Sequence, residues 1–293
     1  MLAWLLIPFD VTFVRRALVA GVLVSLICAL VGTWVVLRGM AFLGDAMSHG
    51  MLPGVAIASL TGQNLLIGAG LSAAAMVLGV TALSRSRRLS RDTSIGLLFV
   101  GMLSVGVLIV SHSQSFAVDL TGFLFGDVLA VTPADLVQLC VAVLVAAAVA
   151  GLGHRAFVAL SFDTRKATTL GMRPALAHGV QLALVTLAIV ASFRVVGTLL
   201  VFGLLIAPPA AAVLWARRIP TIMLSAALLG SAATVIGLLV SWHAGTAAGA
   251  TIAAIAVGLF FLSAAASQLY RRVASEGETR TATAAGAPTH NDK

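Results

Sequence analysis

The sequence predicts an all-α polytopic membrane protein of about nine transmembrane helices, or alternatively eight. Three observations lead there. The 293 residues are 60% hydrophobic and only 10% charged, whereas a soluble domain carries roughly a quarter charged residues. Apolar runs of about 20 residues, long enough to cross a bilayer as a helix, recur along the chain. The formal net charge of +8 sits mostly in short loops between those runs, the arrangement that orients a chain in a membrane.

Taken in order, Ala17 to Leu37 supplies a first span. Met40 to Leu60 supplies a second, interrupted by Asp45, His49 and Pro53. Leu65 to Leu83 is a third, and SRSRRLSRD follows with four arginines. Thr93 to Val110 is a fourth. Residues 111–133 read as an outer loop with a short helix dipping back. Ala134 to Gly153 is a fifth span, followed by the polar stretch His154 to Pro174. Ala175 to Phe193, Val195 to Ala216, Ile222 to Trp242 and Ala247 to Ala266 are the sixth to ninth.

The basic segments Arg85 to Arg91, His154 to Arg173, Arg217–Arg218 and Arg271–Arg272 follow spans three, five, seven and nine. All fall on one side, which the positive-inside rule assigns to the cytoplasm. The N-terminus is then external and the C-terminus cytoplasmic. If the second segment is re-entrant, eight spans remain and both ends are cytoplasmic; Gly and Pro within it keep that alternative open. Residues 1–16 form an N-terminal interfacial segment anchored by Trp4, residues 17–272 the membrane domain, and residues 273–293 a disordered cytoplasmic tail. That tail is too polar to bury enough apolar area to fold.

Composition also excludes classes. Nucleic-acid binding would need the basic residues gathered on one folded face, and here they are spread over loops. The two cysteines, Cys28 and Cys140, form no CxxC signature. No GxxxxGK[ST] loop is present, so the chain carries no nucleotide site of that type.

The chemistry concentrates in Arg38 to Gly54, RGMAFLGDAMSHGMLPG. Asp45 and His49 stand four residues apart and share one helix face. A carboxylate and an imidazole together can hold manganese, iron or zinc. Burying ionisable groups in a membrane is costly, which makes such a pair a functional candidate. A purely structural alternative has Asp45 capping a helix after Gly44 and His49 bonding a neighbouring helix. Met47 and Met51 read as packing residues. Between spans five and six, Asp163 can cap a short cytoplasmic helix from Thr164 to Leu170, with Gly171 and Pro174 ending it.

Four stretches together resemble the permease subunits of metal-type ABC importers, the ABC-3 family. They are RxMAFLGDAxSHxxLPG at Arg38 to Gly54 and LFGDxLAV at Leu124 to Val131. FDxxxAxxxG follows at Phe162, Asp163, Ala167 and Gly171, and VVGTLLVxxLLxxPxAxA at Val195 to Ala212. The resemblance implies a type II ABC importer-like permease in the cell inner (plasma) membrane, embedded in lipid. It implies a homodimer with a second permease copy and a central pathway. Two copies of a cytoplasmic ABC ATPase would dock on the coupling helix near 162–171, at Phe162, Asp163, Ala167 and Gly171. An extracytoplasmic metal-binding protein would deliver the ion. Asp45 and His49 match the positions that line the metal pathway, and two protomers would supply two of each. No cofactor is bound permanently; the cargo is Zn2+ or Mn2+, with iron(II) also compatible. The chain departs from the family at Thr164 and Arg165, where a proline and an acidic residue are usual, and in SWHAGTAAGAT, which lacks the usual Asp and Pro. His243 there reads as an interfacial histidine.

Other classes fit less well. A permease for a bulky chelate, such as a siderophore or cobalamin, needs a wide path and no bare Asp–His pair. An intramembrane hydrolase would need an HExxH or a facing Ser or Asp pair. A proton-driven carrier usually has more carboxylates at the midplane.

Overall fold

The structure, a computed structural model, describes residues 8–83, 90–112, 126–162 and 174–285. Those residues form helices joined by short turns. In chain order the helices are α1 (Thr12–Leu37), α2 (Ala41–Gly50), α3 (Leu52–Thr61), α4 (Leu65–Leu83) and α5 (Arg91–His112). A 3-10 turn, Val128–Ala130, leads to α6 (Pro133–Phe162), α7 (Pro174–Val213), α8 (Ile219–Ala244) and α9 (Ala248–Ala285).

Among the described residues, seven helices are long and apolar enough to cross a membrane by themselves. That is fewer than the nine or eight expected, and two local breaks explain the difference. The expected second span is split into the ten-residue helices α2 and α3. Pro53 has no N–H to give to the carbonyl of His49, so the hydrogen-bond ladder stops between Gly50 and Leu52. The expected sixth and seventh spans are one 40-residue helical stretch, α7, broken at Gly197. At about 1.5 Å per residue its two limbs, 174–196 and 198–213, are roughly 35 and 24 Å long, each near one hydrocarbon thickness.

Contacts with α1 show what the break at Gly197 does. Arg38, at the end of α1, hydrogen-bonds His178 and Gln181 near the start of α7. Past the break, Cys28 donates to the Val201 carbonyl, and Gly32, one turn further along α1, lies against Leu205. The first half of α7 therefore climbs away from Arg38, and the second half descends back toward it. Gly197 permits the reversal with φ +71°, ψ +166°, a conformation that a side chain would strain.

The centre of the molecule is α1 packed on both halves of α7. Two-thirds of the most apolar window of each is buried (67%), against 17% for α5. Small residues make this possible. Pro209 cannot donate to the Leu205 carbonyl, and Gly32 packs directly on that freed oxygen. A Cβ at Gly32 would sit 2.0 Å from it. On the other side, Gly21 meets Thr234 and Ser25 meets Gly230, so α8 runs antiparallel to α1. The rings of Phe13 and Trp242 (6.2 Å) pair at one end of that couple. Trp215 and Tyr270 (6.3 Å) pair at the opposite face.

The α2–α5 group packs against this centre. Gly54 of α3 meets Gly68 of α4, and the Ser72 hydroxyl donates to the Gly50 carbonyl at 2.7 Å. Phe42 lies on Gly96 and Phe99, while Leu52 lies on Gly106. So α2 followed by α3 tracks α5 in the same sense, and α4 runs against both.

Several expected boundaries move. The first span begins at Thr12 instead of Ala17, taking the last residues of the expected interfacial segment into the helix. The fifth continues from Gly153 to Phe162, because His154 to Phe162 keeps strong helix formers and contains neither Gly nor Pro. The expected unfolded tail is helical from 273 to 285. Extending a packed helix carries no nucleation cost, so an alanine-rich polar segment can simply propagate it. Residues 286–293, residues 113–125, Trp4 and the expected coupling segment 162–171 apart from Phe162 lie outside the described residues. Thr132 and Asp135 start α6 with a reciprocal cap: Asp135 accepts from the Thr132 backbone N–H (3.0 Å) and hydroxyl (2.6 Å). Arg194 reaches the same carboxylate at 3.8 Å from Nε to Oδ1. That cap was open to reading in the Thr-Pro-Ala-Asp sequence and was not part of the expectation.

Replacing Gly32 with valine should push α1 off the Leu205 carbonyl. We expect Gly32→Val to lose at least about 2 kcal/mol of stability, read as a lower thermal midpoint of the detergent-solubilised protein. Gly70→Ala, where an added Cβ meets nothing within 4 Å, should stay within about 0.5 kcal/mol of the unsubstituted chain.

Candidate metal pathway site

Asp45 lies in the middle of α2, whose N-cap is Met40, so its carboxylate does not cap that helix. One turn later His49 stands on the same face, with Nε2 3.6 Å from Asp45 Oδ1. That spacing suits two donors to one ion. With each about 2.1–2.2 Å from a shared ion, a 3.6 Å separation corresponds to an angle of roughly 115°. Both side chains are partly exposed, 26% for His49 and 34% for Asp45.

Helix α5 orients the imidazole. Phe99 meets His49 edge to face at 5.5 Å and 72°, and meets Phe42 at 6.0 Å and 64°. Met47 and Met51 are buried in the core on the other side of α2, in keeping with a packing role. Ser48 satisfies its hydroxyl on the Gly44 carbonyl at 3.0 Å.

Across from this face stands the second half of α7. Asp45, Ser48 and His49 share a cavity of about 340 Å³ with Thr198, Leu199 and Phe202. The reversal at Gly197 puts Thr198 at the start of the descending helix, and one more turn brings Phe202. Gly44 lies against Leu205 and Phe202, which is what lets α2 come this close. Gly126, from the LFGDxLAV stretch, packs in turn on Val196 and Gly197. Two of the sequence stretches thus line one cavity, and a third packs on the Gly197 break beside it. Spacing could not have paired them, since more than a hundred residues separate α2 from Thr198.

Among the described residues no group of three or more His, Cys, Asp or Glu side chains could hold a metal ion. Within one chain the donor set is therefore the Asp45–His49 pair and its polar surroundings. Phe162 is the last residue of α6; Asp163, Ala167 and Gly171 lie outside the described residues. His243 stands in the last turn of α8 and its Nδ1 bonds the Leu239 carbonyl at 2.8 Å, away from this cavity. Cys28 and Cys140 are free thiols. The Arg38–His178–Gln181 cluster was not foreseen; it joins residues 140 and 143 positions apart.

Comparison with known proteins identifies the lineage. The ABC 3 transport family matches residues 10–267. The chain is 32% identical to the manganese transport system membrane protein MntC of Listeria monocytogenes over 252 residues, covering 86% of this chain and 90% of that protein. It is 33% identical to the chelated iron transport system membrane protein YfeD of Yersinia pestis over 257 residues, covering 88% and 86%. Among solved structures, PsaBC from Streptococcus pneumoniae in complex with Fab superposes with a TM-score of 0.80 at 29% identity, covering 90% of this chain and 95% of that one. The shared helical architecture and the match across nearly the whole chain make it a member of the ABC 3 transport family of membrane permeases.

Proposed function

We propose that this chain is the permease subunit of an ATP-driven importer of a divalent transition-metal ion, and that Asp45 and His49 hold the ion in transit. The single observation behind this is the 3.6 Å carboxylate–imidazole pair facing a cavity between two helix breaks. Two protein donors do not complete a coordination sphere. A second permease copy, related by a two-fold axis, would bring another Asp45 and His49 to the same ion. ATP hydrolysis belongs to separate cytoplasmic subunits, and an extracytoplasmic binding protein delivers the cargo.

The relative named for manganese, together with the oxygen and imidazole donors, favours Mn2+ as cargo, with Fe2+ and Zn2+ compatible on chemistry alone. The cavity of about 340 Å³ is small for a siderophore or cobalamin, which disfavours a bulky chelate.

Nine crossings in the plasma membrane fit the helix contacts. The α2–α3 pair counts as one crossing, because it follows α5 along its length, and α7 counts as two. The basic segments then all face the cytoplasm, with the N-terminus outside and the C-terminus inside. The extension of α6 to Phe162 carries the chain about 13 Å past Gly153. That supports an ATPase contact at 162–171, with Phe162 as its apolar anchor, Asp163 and Gly171 as the ends of a short helix, and Ala167 on its face.

Asp45→Ala and His49→Ala should each reduce metal uptake at least about a hundredfold while leaving expression, dimerisation and ATPase association intact; normal uptake in either would remove the pathway assignment. Reporter fusions at Arg88, Arg155, Arg218 and the C-terminus should read cytoplasmic, and one at Ser113 external. A fusion at Met1 reads external with nine crossings and cytoplasmic with eight. Phe162→Ala and Gly171→Val should weaken co-purification with the ATPase and uncouple hydrolysis from uptake. Full association and full uptake in Phe162→Ala would move the coupling site elsewhere, to the basic loop Arg85 to Arg91.

A further inference from the structure

We propose that the Thr198 hydroxyl is a further protein donor to the transported ion, and that it tilts the path toward oxygen-preferring cations. The proposal rests on the reading that Asp45 and His49 hold that ion. Thr198 lines the same cavity as both and is 2% exposed. Its Oγ1 is fully buried and has no hydrogen-bond partner among the described residues.

Other hydroxyls in these helices are handled differently. Ser25, Thr33, Ser48, Thr186 and Thr234 each donate to the carbonyl four residues earlier. Thr198 cannot, because the non-helical Gly197 stands between it and the preceding turn. Ser192 also lacks a partner but does not line the cavity. A buried hydroxyl left unpaired is unfavourable, and at Thr198, unlike Ser192, an ion in the adjoining cavity would relieve it. A hydroxyl oxygen keeps two lone pairs for a cation. Neutral and anionic oxygen donors suit manganese and similarly hard ions, whereas imidazole-rich or thiolate sets suit zinc and copper. Adding one oxygen to an Asp–His pair therefore shifts preference away from zinc.

The test uses the complete transporter, permease with its ATPase, reconstituted in liposomes and given Mn2+ with increasing Zn2+. Thr198→Val keeps the shape of the side chain and removes the oxygen. We expect it to lower manganese uptake and to make zinc a competitor at about tenfold lower concentration. Thr198→Ser should restore the original competition, and Thr198→Cys should favour zinc further. The thermal midpoint of Thr198→Val should not fall, since the variant removes an unpaired buried hydroxyl. Unchanged manganese uptake and zinc competition in Thr198→Val, with Asp45→Ala inactive, overturns this proposal alone. Equal loss for both ions, or a lowered thermal midpoint not rescued by serine, makes Thr198 structural and also overturns it. Normal transport by Asp45→Ala removes the underlying site reading as well.

Discussion

Within lipid, a backbone N–H or C=O without a partner has no water to turn to, so irregular backbone survives only where protein buries it or where it lines a cavity. This chain interrupts its helices at the Pro53 step and at Gly197, and sets two prolines, Pro208 and Pro209, inside the helix that follows. Each interruption is tied to neighbouring protein. Ser72 donates to the Gly50 carbonyl, Gly32 packs on the Leu205 carbonyl, and Gly126 packs on Gly197. These interruptions flank the cavity that contains Asp45 and His49. The need to shelter them fixes where α1, α2, α3 and α7 can sit.

From that constraint follows a division of labour. The α1–α7 centre has the largest buried share among the described membrane-length helices, with Gly32 packed on the Leu205 carbonyl, and it frames the site. The α4 and α5 helices have little of their surface buried within the chain and support α2 from outside, chiefly through Phe99. The site is thus built between a fixed wall, α7, and an element, α2, held by side-chain contacts. Packed elements with two discrete arrangements are what a transporter needs to expose one site to alternate faces. The Arg38 cluster ties the end of α1, just before α2, to the first turns of α7.

Much of this was legible in the sequence. Apolar run lengths located most crossing segments, since α4 at Leu65–Leu83 follows directly from where its apolar run starts and stops. Asp45 and His49 stood out because charge is rare in such runs, and helical periodicity placed them on one face. The expectation of two apolar runs here matches the two limbs of α7, but it set their boundary at Arg194, three residues before the reversal at Gly197, because hydropathy registers the charge and not the backbone break. The polar ends of α6 and α9 were misread as loop and tail, since hydropathy marks the membrane boundary and not the end of a helix. The partners of the site, Thr198 and Phe202, were hidden for a different reason. They are ordinary apolar-span residues, and only tertiary packing across more than a hundred positions brings them to α2.

The central claim is that one carboxylate and one imidazole from each permease copy hold the ion in transit. Electron paramagnetic resonance of Mn2+ bound to the assembled transporter tests this most directly, through the nitrogen coupling that an imidazole ligand imposes on the metal. The account predicts one bound ion shared by a pair of permease copies, with a nitrogen coupling that disappears in His49→Ala. A bound ion whose coordination is unchanged in both Asp45→Ala and His49→Ala would contradict it.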